Sequence, residues 1–434
     1  MNTRETLKIN KLNHLEIADV DSVELAKKYQ TPLYVLDVNH VENMCKVYAE
    51  SLNSFYGNGK VFYASKALCC KEIYRIINKF GMGSDAVSLG EMFTAKKATN
   101  NLKNVILHGN NKSIEEIDYA IKNSVGYIVI DSDEDLDVIS EISKKYNKTQ
   151  DVLIRVNPGV EAHTHKFIQT AKVDSKFGFS IDNGDALEII KKTIRNNNVN
   201  LLGLHCHIGS QIFDEKGFLL AVDKMTEFYS TVKEKLNYQF SVINLGGGIG
   251  IWYSDEDKKM TYNDYQIFIK NVCERLKFNV EKFNLPKLYL ILEPGRSIVG
   301  EAGVTLYTVG STKKIKDVKN YLAIDGGMFE NPRYALYQAK YTAVAVEKMN
   351  DEPTTHYSIA GKCCESGDII TEDSYLPEMK RGDLVGILST GAYNYSMSSN
   401  YNRNTVPAVV GVKNGKSYVI IKRQTVKDIT KFDK

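Results

Sequence analysis

The sequence predicts an α/β protein in which a (β/α)8 barrel is followed by a second, β-rich C-terminal domain. Between Lys60 and Pro294, short β-branched runs alternate with stretches of helical periodicity, and the eight runs match the eight strands of such a barrel. After Arg296 the helical periodicity fades, and short strand-like runs separated by turns predict a β-rich domain. The length of 434 residues also fits two domains better than one. An open, doubly wound sheet shows the same alternation, so the strand count alone does not exclude it.

The predicted elements follow one another in a regular order. The opening strand, Leu33–Asp37, precedes the barrel and is expected to pair with the C-terminal domain. The barrel strands are predicted at Val61–Ala64, Ser84–Val87, Val105–Leu107, Tyr127–Ile130, Val152–Val156, Leu201–His205, Val242–Leu245 and Leu288–Leu292. The helices include Ser113–Asn123, Asp133–Tyr146, Ala186–Asn196, Phe218–Leu236 and Tyr265–Phe283, and Ser113 with Glu116 reads as a capping box. The C-terminal strands are predicted at Gly303–Val309, Tyr321–Ile324, Tyr341–Glu347, Asp383–Leu388, Ala408–Lys413 and Lys416–Ile421. We therefore predict a barrel domain at 36–295 and a β-rich domain built from 1–35 plus 296–434.

Composition and charge narrow the classes of function. Lys and Arg number 56 against 53 Asp and Glu, and this net charge of +3 is spread without a basic block, so we expect neither nucleic acid nor a membrane as partner. Apolar runs such as Val125–Ile130 are far shorter than the ~18 residues of a spanning helix. Met1–Asn13 is polar and lacks an apolar signal core. Seven cysteines, an odd number, argue against a disulfide framework. We expect a cytoplasmic enzyme that acts on a small molecule.

Four features fall at predicted C-terminal strand ends, where barrels carry their active sites. Lys66 ends the first run and His207 ends the sixth. The glycine-rich run 246–250 follows the seventh strand, and Glu293-Pro294-Gly295-Arg296 follows the eighth. Each feature alone is a weak signal, but their shared placement predicts an active site.

These features also have ordinary explanations. Burial in an apolar strand would favour a neutral, nucleophilic amine at Lys66, whereas a lysine at a strand end commonly reaches solvent. The glycine run is no dinucleotide motif, because Ile251-Trp252-Tyr253 follows it; its backbone N–H groups either bind a phosphate or form a tight turn. Glu293 and Arg296 form either a local ion pair or two ligands, one for a pyridine nitrogen and one for a substrate carboxylate.

Histidine spacing raises the question of a metal. His205 and His207 would project to the same side of a strand, as would His163 and His165 in an extended segment. A third and fourth zinc ligand with recognisable spacing is missing from the sequence. We therefore predict no metal.

Two adjacent cysteines offer a different chemistry. Cys363 and Cys364 precede the polar segment 365–368, which predicts a loop in which a thiol can act as an acid. A Cys–His hydrolase would need an orienting Asn or Asp, and sequence alone does not place one. Both alternatives stay open at this point.

Together these segments resemble the pyridoxal-phosphate-dependent diaminopimelate decarboxylases, members of the alanine-racemase-like barrel class. The resemblance extends over almost the whole chain, and its motifs occur in order. They are 62–66, 83–85, 108–112, 174–178, His207, 246–248, 293–296, 331–333 with Tyr337, 363–368 and 391–393. One departure is Ala171, where glycine is expected.

The resemblance implies a role for each site residue. Lys66 would bind pyridoxal 5'-phosphate covalently, His207 would stack on its ring, and Glu293 would bind the ring nitrogen. The phosphate would be held by Ser210, Gly248 and the backbone of Glu293, Pro294, Gly295 and Arg296, with Tyr393 nearby. The substrate would be read by Arg296, Arg333, Tyr337, Glu365 and Tyr393. Cys364 would protonate the reacting carbon, and in a homodimer it would come from the partner subunit.

The implied reaction is decarboxylation of meso-2,6-diaminopimelate to L-lysine, the final step of lysine biosynthesis. Loss of CO2 leaves an electron pair on the α-carbon, and a protonated pyridine accepts it. By this resemblance Glu293 would keep that ring protonated, whereas racemases of this class place an arginine there. A distal amino-carboxylate would pair with Arg296, Arg333 and Glu365, while a plain diamino acid would leave arginines unpaired. The alternatives are a related decarboxylase for ornithine, arginine or carboxynorspermidine, a noncatalytic cofactor-binding homologue, and the hydrolase.

Overall fold

The computed structural model describes residues 6–160 and 176–434. Several sequence features lie outside these residues, namely His163, His165, Ala171 and the first two positions of the 174–178 motif.

In chain order the strands β1 to β21 are Leu7–Ile9, Leu15–Ile17, Val20–Asp21, Leu33–Asp37, Gly59–Tyr63, Gly83–Ala86, Val105–Leu107, Tyr127–Ile130, Gln150–Asn157, Phe179–Ser180, Val199–His205, Val242–Asn244, Tyr289–Leu292, Gly303–Ile315, Lys319–Ile324, Ala343–Ala345, Thr355–Ala360, Ile369–Leu376, Leu384–Leu388, Ala408–Lys413 and Lys416–Ile421. The helices α1 to α12 are Ser22–Tyr29, Val38–Phe55, Lys71–Lys79, Leu89–Thr99, Ile114–Lys122, Asp133–Lys145, Asp185–Ile194, Lys216–Leu236, Tyr262–Lys282, Arg296–Val299, Arg333–Tyr337 and Val426–Thr430.

The first compact unit, formed by the described residues of Met44–Gly250 and Met260–Ser297, is a closed parallel barrel. Its strands pair in the order β5, β6, β7, β8, β9, β11, β12 and β13, and β13 pairs back with β5. The closure confirms the predicted barrel and excludes the open sheet. All eight strands lie within two residues of their predicted positions.

The barrel forms where the sequence provides short β-branched strands and well-capped helices. β7 and β12 are buried along their whole length, as expected of strands covered on both faces. Helix α5 begins at the predicted capping box, in which Ser113 Oγ accepts the Glu116 N–H at 3.1 Å and the Glu116 carboxylate accepts the Ser113 N–H at 2.8 Å. One core cluster joins apolar side chains from six barrel strands: Phe62, Ile106, Val129, Leu153, Val242 and Ile291. The barrel interior is therefore packed rather than open.

The second unit, formed by the described residues up to Asn43 with Ile251–Lys259 and Ile298–Lys434, is rich in β-structure. Its main sheet has the order β18-β17-β15-β14-β4-β20-β21. β4 lies between β14, to which it is antiparallel, and β20, to which it is parallel, so the predicted pairing of Leu33–Asp37 with this part of the chain is confirmed. The predicted domain boundaries stay a prediction.

Several strands of this unit differ from the sequence prediction. β17 and β18 were not predicted, because their polar and charged residues weaken the strand pattern. The predicted strand Tyr341–Glu347 is shorter, at Ala343–Ala345, and β14 continues to Ile315. The exposed end of β14 is held by backbone pairing with β15 rather than by burial.

The helices of the described residues were compared with the length and hydropathy that a membrane-spanning helix needs. None of their helices is long and apolar enough to cross a bilayer.

Candidate active site

Glu293, which directly follows β13, lies at the centre of a buried polar cluster. Its Oε1 atom is 2.8 Å from His108 Nε2 and accepts a hydrogen bond from Asn244 Nδ2 at 3.0 Å, while its Oε2 atom is 3.2 Å from His205 Nε2. Burial alone would raise the pKa of Glu293, but His108 and His205 outweigh it and hold this pKa well below its ordinary value. Glu293 is therefore ionised.

The three residues around Glu293 come from three different strand ends. His108 follows β7, while His205 and Asn244 are the last residues of β11 and β12. Burial lowers the pKa of His205 to about 4, so its imidazole is neutral and donates from Nε2 to the carboxylate. His205 Nδ1 is buried and has no hydrogen-bond partner among the described residues. Such an orphaned ring atom marks a site built for something besides packing.

The same cluster bears on the question of a metal. Donor atoms of His108, His205 and Glu293 lie within 4.8 Å of one another. The sequence spacing suggested His205 and His207 as a pair of metal ligands. In the structure, His205 instead lies beside His108 and Glu293. In this structure both histidines are bonded to the Glu293 carboxylate through their Nε2 atoms.

Lys66 lies in a single turn of 3-10 helix, Ser65–Ala67, that follows β5. Its side chain is exposed, so the sequence interpretation of an ammonium buried in an apolar strand is wrong. The strand ends at Tyr63, three residues earlier, so Lys66 belongs to the turn and not to the strand. An exposed amine at a barrel strand end is accessible to a ligand.

The turn that carries Lys66 is fixed from both sides. Ser65 N–H donates to Asp85 Oδ1 at 2.7 Å, and Ala64 N–H donates to the carbonyl of Pro294 at 2.9 Å. Burial and the nearby Glu293 raise the pKa of Asp85 to about 7. Asp85 thus links the Lys66 turn to the Glu293 cluster.

Two glycine-containing loops approach each other closely at the strand ends. Gly248 has a φ of +127°, and a Cβ atom there would lie 2.2 Å from the carbonyl oxygen of Gly209. A Cβ at Gly247 would lie 2.0 Å from the carbonyl oxygen of Glu293. These positions accept glycine only, which leaves backbone N–H groups uncovered by side chains.

Arg296 and His207 are two further predicted site residues of the barrel unit. Arg296 is buried, and its Nη2 atom donates to Ser210 Oγ at 2.9 Å. The ion pairs of the described residues do not include Glu293 with Arg296, so the local ion-pair interpretation is wrong. His207 is half-buried; desolvation and the charge of Lys66 hold its pKa well below the ordinary value. A neutral imidazole suits stacking on an aromatic ring.

These residues fit pyridoxal phosphate. The Glu293 carboxylate has about four acceptor positions, and three are occupied, which leaves one on Oε2 for a protonated ring nitrogen. The glycine loops offer backbone donors to a phosphate. The exposed Lys66 amine is available to an aldehyde.

A second group of predicted residues lies in the β-rich unit, around Arg333. Arg333 begins α11 and is only 7% exposed; Tyr337 ends the same helix and is half-buried. Arg333 Nη1 donates to Tyr341 Oη at 2.8 Å, and the guanidinium lies 4.7 Å from the ring centre of Tyr253. No carboxylate of the described residues lies within ion-pair distance of Arg333. A buried cation without an internal anion is suited to bind a carboxylate ligand.

Cys364 lies in a loop, as the sequence predicted, and this loop joins β17 to β18. The Asp368 carboxylate organises this loop by accepting the N–H groups of Cys363 at 2.7 Å and Met328 at 2.6 Å. Burial and Asp368 raise the pKa of the Cys363 thiol to about 11, so it is protonated. Cys364 and its neighbour Glu365 are exposed. The loop presents these two side chains to solvent.

Tyr393 has an unusual backbone conformation for a non-glycine residue. Its φ of +62° is in the left-handed region, which carries strain that is commonly retained at functional positions. It follows Gly391-Ala392, and the adjacent Asn394 is fully buried and donates to the carbonyl of Thr390 at 3.0 Å. The bond between Asn394 and Thr390 thus closes a turn around Tyr393 and fixes its backbone conformation.

Sequence reasoning assigned no role to Asp85, His108, Asn244 or Arg155. Arg155, in β9, lies 3.7 Å from Asp131 and 4.3 Å from the ring of Phe177. The usable signal is a polar residue near the carboxyl end of an otherwise apolar barrel strand. The sequence analysis used this signal for Lys66, His207 and Glu293 but did not use it for these four residues.

An exposed amine, an ionised carboxylate for a basic ring nitrogen and a glycine cradle are what a phosphorylated pyridine aldehyde requires, which places the chain among the pyridoxal-phosphate enzymes. Residues 38–300 match the family model of the pyridoxal-dependent decarboxylases, pyridoxal binding domain. The chain belongs to this family and, within it, to the diaminopimelate decarboxylases.

Individual relatives support the narrower placement. The diaminopimelate decarboxylase of Bacillus subtilis is 43% identical over 430 residues, which is 99% of this chain and 97% of that protein. The crystal structure of the M. jannaschii enzyme in co-complex with L-lysine has a TM-score of 0.90 at 33% identity and covers 99% of this chain and 98% of that one. The Helicobacter pylori enzyme complexed with L-lysine has a TM-score of 0.85 at 28% identity, with 95% and 99% covered.

Proposed function

We propose that this chain decarboxylates meso-2,6-diaminopimelate to L-lysine and CO2, the final step of lysine biosynthesis. The proposal rests on two features of one chain: Glu293 of the barrel unit is ionised, and Arg333 of the β-rich unit is buried with no carboxylate of the described residues within ion-pair distance. The first suits a protonated pyridine and the second suits a dicarboxylic amino acid. Because the product is L-lysine, the reacting centre of the meso substrate is the D centre.

The barrel residues bind the cofactor and hold one proton in place. Bound pyridoxal phosphate supplies the conjugated system that accepts the electron pair left when CO2 departs. Glu293, kept ionised by His108 and His205, holds a proton at the pyridine nitrogen. Lys66 provides the amine for the cofactor aldehyde, and Asp85 holds its turn. Ser210, Gly248 and the 293–296 backbone bind the phosphate.

The residues of the β-rich unit select the substrate. Arg333 pairs with the distal carboxylate, with Arg296, Tyr337 and Glu365 completing recognition. A ligand without that carboxylate leaves a buried guanidinium unpaired, which costs binding free energy.

The proton that replaces CO2 comes from a thiol. Cys364 donates it to the reacting carbon, and the exposure of Cys364 on its loop supports a role outside its own chain. We propose a homodimer in which each subunit lends Cys364 to its partner. A cytoplasmic location belongs to the proposal and is supported by the low cysteine content.

Release of CO2 from a panel of amino acids tests the function. The purified enzyme with pyridoxal phosphate is given meso-diaminopimelate, L-lysine, L-ornithine and L-arginine in turn. We expect CO2 from diaminopimelate alone, with Glu293→Gln as an inactive control of nearly identical shape. Faster release from ornithine or arginine would show a related decarboxylase, and no release from any substrate would support a noncatalytic homologue.

A further inference from the structure

We infer that Tyr253 and Tyr341 are positioning residues that preset Arg333 for the distal carboxylate of the substrate. The inference rests on the proposed function and assigns the origin of its specificity. Arg333 itself is the group that contacts the substrate. The two tyrosines act through it.

The two phenol rings form a right-angled corner around the guanidinium. Their centres lie 5.4 Å apart with an interplanar angle of 88°. The guanidinium carbon of Arg333 lies 4.7 Å from the centre of the Tyr253 ring and 5.6 Å from that of Tyr341. Aromatic faces attract a cation without neutralising it, so the corner holds Arg333 and leaves its charge available.

A chain of hydrogen bonds fixes the orientation of Arg333. Its Nη1 atom donates to Tyr341 Oη at 2.8 Å, and Tyr341 Oη donates to Asn394 Oδ1 at 3.4 Å. Asn394 Nδ2 in turn donates to the backbone carbonyl of Thr390 at 3.0 Å. Tyr341 and Asn394 are buried, so water competes little for these bonds.

Tyr253 is anchored through its backbone. Its carbonyl accepts the N–H of Thr342 at 3.1 Å and the Thr342 hydroxyl at 2.8 Å. Because Thr342 directly follows Tyr341, the two rings of the corner are tied together. The angle between them is set before any ligand arrives.

This arrangement gives specificity for a carboxylate. One N–H of the guanidinium is directed to Tyr341, and the remaining N–H groups have no protein acceptor among the described residues. A carboxylate can take two parallel N–H groups of the fork, whereas an amine or a methylene cannot. An immobilised fork also loses less conformational entropy on binding, which raises affinity for ligands that carry this carboxylate.

Two probes that differ by one carboxylate test the inference on the holoenzyme. L-Lysine retains the carboxylate that Arg333 would bind, and cadaverine lacks it. Tyr341→Phe keeps the ring and removes the hydroxyl. We expect the inhibition constant of L-lysine and the KM for meso-diaminopimelate to rise about fivefold to tenfold, with kcat and the inhibition constant of cadaverine within about twofold. Tyr253→Leu, which removes the aromatic face, should give the same pattern. Arg333→Ala, which removes the guanidinium itself, should give the largest rise in the inhibition constant of L-lysine.

A matched control separates positioning from stability. Tyr357→Phe removes another buried hydroxyl of the same unit, which accepts the Met379 N–H at 3.1 Å, and should leave both inhibition constants unchanged. Equal weakening of L-lysine and cadaverine in Tyr341→Phe, or an unchanged L-lysine constant, would overturn the inference. Failure of the proposed function is distinguishable, because wild-type enzyme would then release no CO2 from diaminopimelate.

Discussion

Two buried carboxyl groups of the barrel, Glu293 and Asp85, have opposite charge preferences. Two histidines hold the pKa of Glu293 well below its ordinary value, whereas burial and Glu293 itself raise that of Asp85 to about 7. Neighbouring acids whose environments separate their pKa values commonly divide the roles of a site between them. In the proposed function Glu293 carries the charge for the ring nitrogen, while Asp85 secures the turn of Lys66 by accepting the Ser65 N–H.

The first prediction at this scale concerns the covalent link to the cofactor. Lys66→Ala should abolish turnover and remove the borohydride-reducible adduct with pyridoxal phosphate, because Lys66 is the amine that we propose for the cofactor aldehyde. Mass spectrometry of the reduced, digested protein locates the adduct. Lys60→Ala, which changes a lysine earlier in the same segment, is the control and should keep it. An adduct trapped on a different lysine would contradict the assignment.

The second concerns the pH dependence of stability. Glu330 is fully buried, and burial raises its pKa to about 8, with Asp368 adding to the rise, while Tyr307 Oη and Gly327 N–H donate to it at 2.7 and 3.1 Å. Since the unfolded chain releases this proton near the ordinary value of 4.5, stability is full below that pH and falls as pH rises towards 8. Between pH 5 and 7.5, Glu330→Gln should lessen the fall by about 1.4 kcal/mol per pH unit in urea unfolding.

The control for this measurement is an exposed glutamate of the same unit. Glu378→Gln should leave the pH dependence of the free energy of unfolding as it is in wild type. Parallel curves for wild type and Glu330→Gln would show that Glu330 does not retain its proton in the folded state.

At the scale of the elements, loops after the barrel strands build the site. The glycine run after β12 packs against the segment after β11 and the one after β13, with no space for a side chain at Gly247 or Gly248. Both earlier interpretations of this run, a tight turn and a phosphate cradle, are compatible with that geometry. We therefore expect that adding a side chain in this run weakens the binding of the cofactor.

Gly248→Ala tests this directly. The added Cβ would meet the Gly209 carbonyl at 2.2 Å in a backbone conformation that disfavours side chains, so the loop must move. We expect a loss of roughly 2 kcal/mol in the binding of pyridoxal phosphate to the apoenzyme, about 30-fold in Kd by fluorescence titration. Gly90→Ala, in helix α4 with no neighbour closer than 3.8 Å, is the control and should keep the affinity. Unchanged affinity in Gly248→Ala would separate this loop from the cofactor.

The sequence predicts the helices and strands better than it predicts the tertiary contacts between them. The barrel strands were correct because β-branched runs with glycine or polar ends are a local signal. β17 and β18 were missed because half-exposed strands carry polar residues. His108 and Asn244 contact Glu293 only after the barrel closes, and no local pattern reports that contact. Lys66 was placed correctly at a strand end, but its exposure depends on a turn that spacing does not reveal.

At the scale of the whole molecule, the proposed chemistry needs groups from both units. Lys66 and Glu293 belong to the barrel unit, whereas Arg333 and Cys364 belong to the β-rich unit. The proposed dimer supplies Cys364 to each barrel from the partner subunit, as the family resemblance implies. In such a symmetric dimer both subunits contribute the same segment.

Complementation tests the shared site. Lys66→Ala and Cys364→Ala homodimers should both be nearly inactive. Mixed one to one after reversible dissociation, they should recover roughly a quarter of wild-type activity, because about half of the dimers are hybrids with one intact site of two. Mixing Lys66→Ala with Glu293→Gln is the control and should restore nothing, since both residues belong to one barrel. If Cys364 serves its own chain, the first mixture also stays inactive.

The most direct measurement of the central claim follows hydrogen and carbon together in D2O. Wild-type enzyme with pyridoxal phosphate is given meso-diaminopimelate, and the products are identified by mass spectrometry and NMR. We predict equal amounts of CO2 and L-lysine, with one deuterium on the ε-carbon, which lost its carboxylate, and none on the α-carbon. Recovery of diaminopimelate with deuterium at an α-carbon and no CO2 would contradict the account, because the enzyme would then move a proton without breaking the bond to the carboxylate.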